Sequence, residues 1–358
     1  MTRKQILKSL IFVVLALWLI LHLTYVLRTN GDVKDRYVGF YAEKKNTVDA
    51  VFIGSSPLPA CIATPKIYGD MGITLYPISS NVQRPVATKY LVEETLKTQD
   101  PDLFIFEMRM WTSPDDYLLG NMAHTREVTD NMKYSVNRIK TINAMVSDKS
   151  ERLTYYFDIF KYHSNWKTLF MWSQLRTFFY SYPEDMKGYL METEVGPSEK
   201  PVVTSEKEEI PHEEERYLLD LLEYLEKKDK KALFVITPFS ASEDDQKKIN
   251  YLREFIESRG YDFLDMNEHI DEMGLDFETD IRDYGTHTNA LGAEKATDFF
   301  EKYLKENYVD KGIALTTDHR GDKRYSSWDR AFERFVPEFE KAKETALDNA
   351  ANGIYYEK

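Results

Sequence analysis

Several things that would each announce a class of chemistry are scarce or missing in this sequence. Of its 358 residues only one is a cysteine, Cys61, which excludes an internal disulfide and any cysteine-rich metal site. Clustered lysine and arginine are missing too. The 47 basic residues are outnumbered by 60 acidic ones, for a net charge of −13, which argues against nucleic acid as a partner because a phosphate backbone attracts the opposite sign. No His-Glu-x-x-His occurs and the carboxylates are scattered, so no metal set is expected. Neither a glycine-rich phosphate loop nor a dinucleotide fingerprint occurs, so no cofactor is expected. No internal repeat is visible.

A long hydrophobic run is present, and it lies at the start. Residues Ser9 to Leu27 are almost wholly apolar. At ~1.5 Å per residue, roughly 19 residues cover about 28 Å, enough to cross a bilayer core. Arg3, Lys4 and Lys8 precede the run and only Arg28 closely follows it, so the positive-inside tendency puts residues 1–8 in the cytoplasm and the rest outside the membrane. The rival is a cleaved signal peptide. It would have a shorter apolar region and an Ala-x-Ala site, and the run ends instead in Leu23-Thr24-Tyr25-Val26-Leu27-Arg28. The expectation is an uncleaved anchor over 9–27, a polar tether over 28–47, and an extracytoplasmic domain beyond.

That domain reads as α/β. Val51-Phe52-Ile53 is a short apolar run suited to a central strand. Further strands are predicted at Thr74–Ile78, Asp102–Glu107, Lys231–Pro238 and Tyr261–Asp265, alternating with helices at Pro65–Met71, Ala87–Thr98, Glu213–Lys228, Asp244–Arg259 and Ala293–Asn307. Alternation of this kind implies a parallel, doubly wound sheet over residues 48–312. It is interrupted from about 111 to 212 by a helical insertion that includes Asn137–Met145 and a long helix over Arg152–Phe170. This insertion is rich in aromatics, among them Tyr155, Tyr156, Phe160, Trp166 and Trp172. Their expected role is helix–helix core; the alternative is a cover or docking surface beside a site. A loop near Thr317–Asp322 and a charged helix over Trp328–Ala350 are predicted within 313–358.

Two stretches carry candidate chemistry. In the first, Gly54-Ser55-Ser56-Pro57 follows the strand. Pro57 suits the first position of a helix, and a serine here lies at a strand's carboxyl end, where open α/β sheets build sites. In the second, Asp280-Ile281-Arg282-Asp283-Tyr284-Gly285-Thr286-His287-Thr288-Asn289 sets a histidine behind two aspartates, before an amphipathic helix. Serine first, then aspartate and histidine close together, is one chain order for an acyl-transfer triad. The Gly-x-Ser-x-Gly elbow is absent, and Pro57 has no N–H to offer an oxyanion.

These blocks resemble the first and last blocks of the SGNH/GDSL hydrolase superfamily. The second block resembles the His-Thr-Asn-x-x-Gly-Ala form of its membrane-anchored bacterial members, similar to the D-alanine-transfer protein of lipoteichoic-acid synthesis and to alginate-type O-acetyltransferases. The resemblance implies a three-layer, flavodoxin-like α/β/α domain, with Ser56 as nucleophile (Ser55 as rival), His287 as general base and Asp283 as the carboxylate that orients it. The superfamily spacing is Asp-x-x-His, which would put the acid where Tyr284 stands; Asp283 is one residue further back, and Asp280 is the alternative acid. Asn81, at the end of the second strand, is a candidate oxyanion donor. Arg109, after the third, is a candidate to bind an anion or to pair with Glu107. What the resemblance implies is an esterase or O-acyltransferase acting on a cell-envelope polysaccharide or teichoic acid, with a polytopic membrane O-acyltransferase as partner. The alternative is a decayed relative that binds glycan or such a partner without turnover.

Overall fold

The computed structural model describes residues 2–114, 122–179 and 181–357; residues 115–121 of the expected insertion lie outside the described residues. Five strands form one parallel sheet: β1 (Ala50–Gly54), β2 (Leu75–Ser79), β3 (Leu103–Glu107), β4 (Ala232–Ile236) and β5 (Asp262–Asp265), in the order β2-β1-β3-β4-β5. The order reverses between β1 and β3, the kind of switch point at whose carboxyl ends open α/β sheets build their sites. Pro77 is tolerated in β2 because β2 is an edge strand.

Strand side chains alternate between two cores, as a sheet covered on both faces requires. Val51, Ile53, Phe104, Phe106, Phe234 and Ile236 enter one core, while Ala50, Phe52, Leu103, Ile105, Leu233 and Val235 enter the other. Helices cover both faces. Before the sheet come α1 (Arg3–Leu27) and α2 (Asp32–Ala42), and between the first strands α3 (Pro57–Cys61), α4 (Thr64–Met71) and α5 (Thr88–Thr95). Between β3 and β4 lie α6 (Met122–Thr129), α7 (Val136–Met145), α8 (Arg152–Tyr156), α9 (Ile159–Tyr162), α10 (Trp172–Leu175) and α11 (His212–Lys227). Next come α12 (Glu243–Glu257), α13 (Ile270–Met273), α14 (Ala290–Leu304) and α15 (Ser326–Ala351). The charged C-terminal helix α15 buries a stripe of Trp328, Phe335, Phe339, Ala342 and Ala346 at helical spacing.

Three expectations need correction. The 28–47 stretch is not an extended tether. Its residues 32–42 form α2, whose Val33, Tyr37 and Phe40 repeat at helical spacing and join a core. No single helix runs from Arg152 to Phe170. The chain breaks into α8, α9 and a 3-10 turn at His163–Thr168, because Phe157 leaves helical geometry and Asp158 is drawn into a buried ion pair. Nor do the insertion's aromatics all fill a core: Tyr155 is buried, while Phe160 and Trp166 are 69% and 62% exposed.

Helix α1 is long and apolar enough to cross a membrane. Most of its surface is exposed, but Thr24 to Leu27 are buried in the insertion. Directly after it, Arg28 is fully enclosed and pairs with Asp158 at 2.5 Å. Arg138 approaches the same carboxylate at 3.4 Å, and the Tyr134 hydroxyl donates to it. Lys34 from α2 donates to the carbonyls of Tyr25 and Arg28 at 3.1 and 3.0 Å, tying the first two helices together.

Candidate active site

The end of β1 is shaped by a close approach. A Cβ on Gly54 would lie 2.4 Å from the Cβ of Glu107 on β3, so only glycine lets the two strand ends meet here. The chain then turns, and Ser56 stands at the N-terminus of α3 with Pro57 as the first helical residue. The two serines part company at this turn. Ser55 is buried, and its hydroxyl accepts the Gln83 N–H at 3.3 Å. Ser56 is half-buried and faces the loop before α14.

That loop is a small hairpin. Ile281 bridges Thr288, and the Arg282 N–H donates to the His287 carbonyl at 2.8 Å. Within it Tyr284 (φ +60°) and Gly285 (φ +115°) both adopt left-handed backbone, which takes up the extra residue between acid and base. The Asp283 carboxylate therefore folds back on the hairpin. One oxygen accepts the N–H groups of Thr286 and His287 at 3.2 and 2.8 Å; the other meets His287 Nδ1 at 2.5 Å. The far ring nitrogen, Nε2, lies 2.9 Å from Ser56 Oγ. Ser56, His287 and Asp283 thus form one hydrogen-bonded chain across the carboxyl edge of the sheet.

Burial would raise the Asp283 carboxyl, but its bond to His287, the charge of that ring, the His287 N–H and nearby Arg282 together hold it below the usual carboxylate range. It is a charged acceptor, so it fixes the tautomer in which Nδ1 carries a proton and Nε2 is free to accept one.

The loop is braced from several sides. Gly196 donates to Ile281 and accepts from Tyr284, and Ser240 donates to the Gly285 carbonyl at 2.8 Å. Arg282 is clamped by Glu192 and Glu194 at 3.0 and 2.9 Å. Asn289 caps α14 by accepting the Leu291 and Gly292 N–H groups, and the Thr288 hydroxyl donates to the Ala60 carbonyl of α3 at 3.1 Å, joining histidine loop to serine helix.

Other expected residues fall differently. Asp280 is buried away from the histidine; it accepts the Asp276 N–H at 2.7 Å and pairs with Lys295 at 2.6 Å, so it braces the hairpin. Asn81 is turned to Glu127, to which it donates through its backbone N–H at 2.8 Å and its side-chain amide at 3.2 Å, in place of the expected oxyanion role. Arg109 reaches the site, with Nη1 donating to the Thr286 carbonyl at 3.2 Å and its guanidinium stacked 4.3 Å from the Phe239 ring centroid. Its backbone N–H, and not its side chain, bonds Glu107, at 2.9 Å. Glu107 is buried under the serine turn with its second oxygen unpartnered, and burial pushes it up to about 7. Cys61, also close by, is a buried thiol pushed up to about 12 by its burial.

Sequence reasoning missed Glu127, Phe239, Ser240 and the Glu192–Gly196 strap. The signal available was positional: Thr237-Pro238 follows β4, so residues 239–240 had to emerge at the same sheet edge. Nothing local marks Glu127. Among the described residues, Asp70, Asp298 and Glu301 approach one another closely enough to hold a cation, but Lys66 already contacts all three at 2.5, 2.6 and 3.5 Å. The chain matches no family model, and no curated protein matches it.

Proposed function

We propose that this chain is a membrane-anchored, extracytoplasmic serine esterase or O-acyltransferase of the SGNH type, acting on acyl esters of cell-envelope glycopolymers. The observation that carries the reading is the continuous hydrogen-bonded chain from Ser56 Oγ through His287 to Asp283, at the carboxyl edge where the strand order reverses. In the reaction, His287 Nε2 takes the Ser56 proton as Oγ attacks the acyl carbonyl. Asp283 stabilises the resulting imidazolium. Collapse of the tetrahedral adduct breaks the ester bond, and the imidazolium returns its proton to the departing alkoxide. Water or a polymer hydroxyl then attacks the acyl-enzyme with the same base assistance.

The developing oxyanion needs donors, and Pro57 and Pro59 remove two of the first three N–H groups of α3. Ser56's own N–H and the Arg109 guanidinium are the groups left to serve. The N-terminal span favours an envelope polymer as acceptor, and a polytopic acyltransferase in the same membrane is the natural acyl donor.

A second reading, a non-catalytic envelope protein that binds glycan or such a partner, is favoured by one observation: Asn81 is committed to Glu127. Treating the purified full-length protein with a fluorophosphonate probe separates the two. The enzyme reading expects covalent labelling of wild type that is absent in Ser56→Ala. Equal labelling of both proteins would remove Ser56 as nucleophile, and a folded wild type that does not react would favour the binder.

A further inference from the structure

The helical insertion exposes large apolar side chains in one short stretch. Phe157, Phe160, Trp166, Phe170, Trp172 and Phe179 are between 56% and 83% exposed. Isolated surface hydrophobics need no explanation, but so many in one short stretch, with Phe157 against Phe160 and Phe178 against Phe179, mark a surface that something covers. The patch is continuous with α1. The ring of Phe178 packs against Trp18 and His22 at 5.8 and 5.2 Å, and Phe179 reaches His22 at 6.4 Å. The Asn165 side chain donates to the carbonyl of Leu27 at 3.0 Å.

The lengths then decide the matter. Within the apolar run, Ser9 to Leu23 is not enclosed by protein, and ~1.5 Å per residue gives this part about 22 Å. A bilayer core is ~30 Å thick. On the outer side the run is completed by Thr24 to Leu27, and those residues are buried in the insertion. The protein collar around them must therefore occupy the same layer as the end of the span. Trp18 lies nine residues before Leu27, about 14 Å along the helix axis, so Phe178 reaches well below the rim. Buried Arg28 and its partner Asp158 sit at the top of this collar, where a fully paired charge is tolerated.

We propose that the insertion over residues 157–179 is embedded in the outer leaflet of the bilayer as a collar around α1, with its aromatics in the interfacial and upper acyl region and Lys161 and Lys167 beside the headgroups. This rests on the reading of α1 as a membrane span and is independent of the catalytic assignment. The collar would fix the height and tilt of the α/β domain over the membrane, so that its acceptor is drawn from polymer close to the lipid surface.

The test uses the full chain, in which Cys61 is buried, reconstituted in nanodiscs of phosphatidylcholine and phosphatidylglycerol with or without acyl chains brominated at the 6,7 position. Single variants Phe170→Cys and Trp172→Cys carry an environment-sensitive fluorophore, with Leu15→Cys on α1 and Val203→Cys on the loop beside α12 as references. The expected result is at least twofold quenching by brominated lipid, with protection from aqueous iodide, at 15, 170 and 172, and the reverse at 203. Quenching at 15 with 170 and 172 behaving like 203 would overturn the collar and leave the span standing. Loss of quenching at 15 as well would overturn both. Shielding of 170 and 172 that appears only in native membranes, and not in nanodiscs, would assign the patch to a protein partner and likewise overturn the proposal.

Discussion

The imidazole of His287 is held by one bond on each nitrogen, and the two bonds do different work. On the proposed reading the serine side is where chemistry occurs, and the aspartate side orients the ring and stabilises its charged form. Asp283→Asn should therefore slow covalent labelling by a fluorophosphonate on the order of 10²–10⁴-fold without abolishing it, measured as the pseudo-first-order labelling rate beside Ser56→Ala, which should show none. Glu107 makes a prediction about stability. Its folded-state affinity for a proton is raised, so its contribution to stability is present below the ordinary glutamate range near pH 4.5 and is lost as pH rises through about 7. Glu107→Gln should lack that slope. Urea denaturation should find the variant gaining on wild type by on the order of 2–3 kcal/mol between pH 5 and pH 8, and parallel curves would show that the carboxyl is not desolvated in the folded state. The sequence brought Ser56, His287 and Asp283 into view because each lies in a local pattern with chemical meaning. It chose Asp283 but kept Asp280 as the alternative, because both lie within reach on spacing alone. Lys295, fifteen residues beyond Asp280 and on another element, separates them.

Two elements meet at the site, a serine turn and a histidine hairpin, and the hairpin is the more delicate. Gly285 has φ +115°, and a Cβ there would sit 2.6 Å from Ser240 Oγ. Gly285→Ala should cost roughly 1–3 kcal/mol in backbone strain alone and should lower labelling at Ser56 by more than the stability loss explains, because the hairpin carries both acid and base. Thermal melting read beside the labelling rate checks this; an unchanged rate would mean that the hairpin can relax without moving His287. The strands were legible as short apolar runs, each followed by a turn. Less legible was α2, because Asn30-Gly31-Asp32 announced a polar linker while the Val33, Tyr37, Phe40 stripe behind it carried the helix. The break inside 152–170 was illegible for a different reason: Asp158 is claimed by Arg28, 130 residues earlier, and no local pattern reports a partner that distant.

Across the whole molecule, α1 is fastened to the α/β domain by charge as well as by packing. Asp158 is fully buried between Arg28 and Arg138. Asp158→Ala would leave two enclosed guanidinium groups without their shared counter-charge and should destabilise the protein by about 3–5 kcal/mol, seen as a lowered denaturation midpoint in detergent; a shift of a few tenths would mean that solvent reaches the pair. The sheet has a consequence of another kind. Neighbours β3 and β4 are joined in space but separated along the chain by roughly 120 residues, and distant pairings of this sort close slowly. While the chain is being made, β2, β1 and β3 emerge first and present an open strand edge, the arrangement most prone to pair with the wrong neighbour. The end of α1 and the insertion that packs on it are both made before β4, so they are free to assemble early, whereas completion of the serine–histidine chain waits for residue 287.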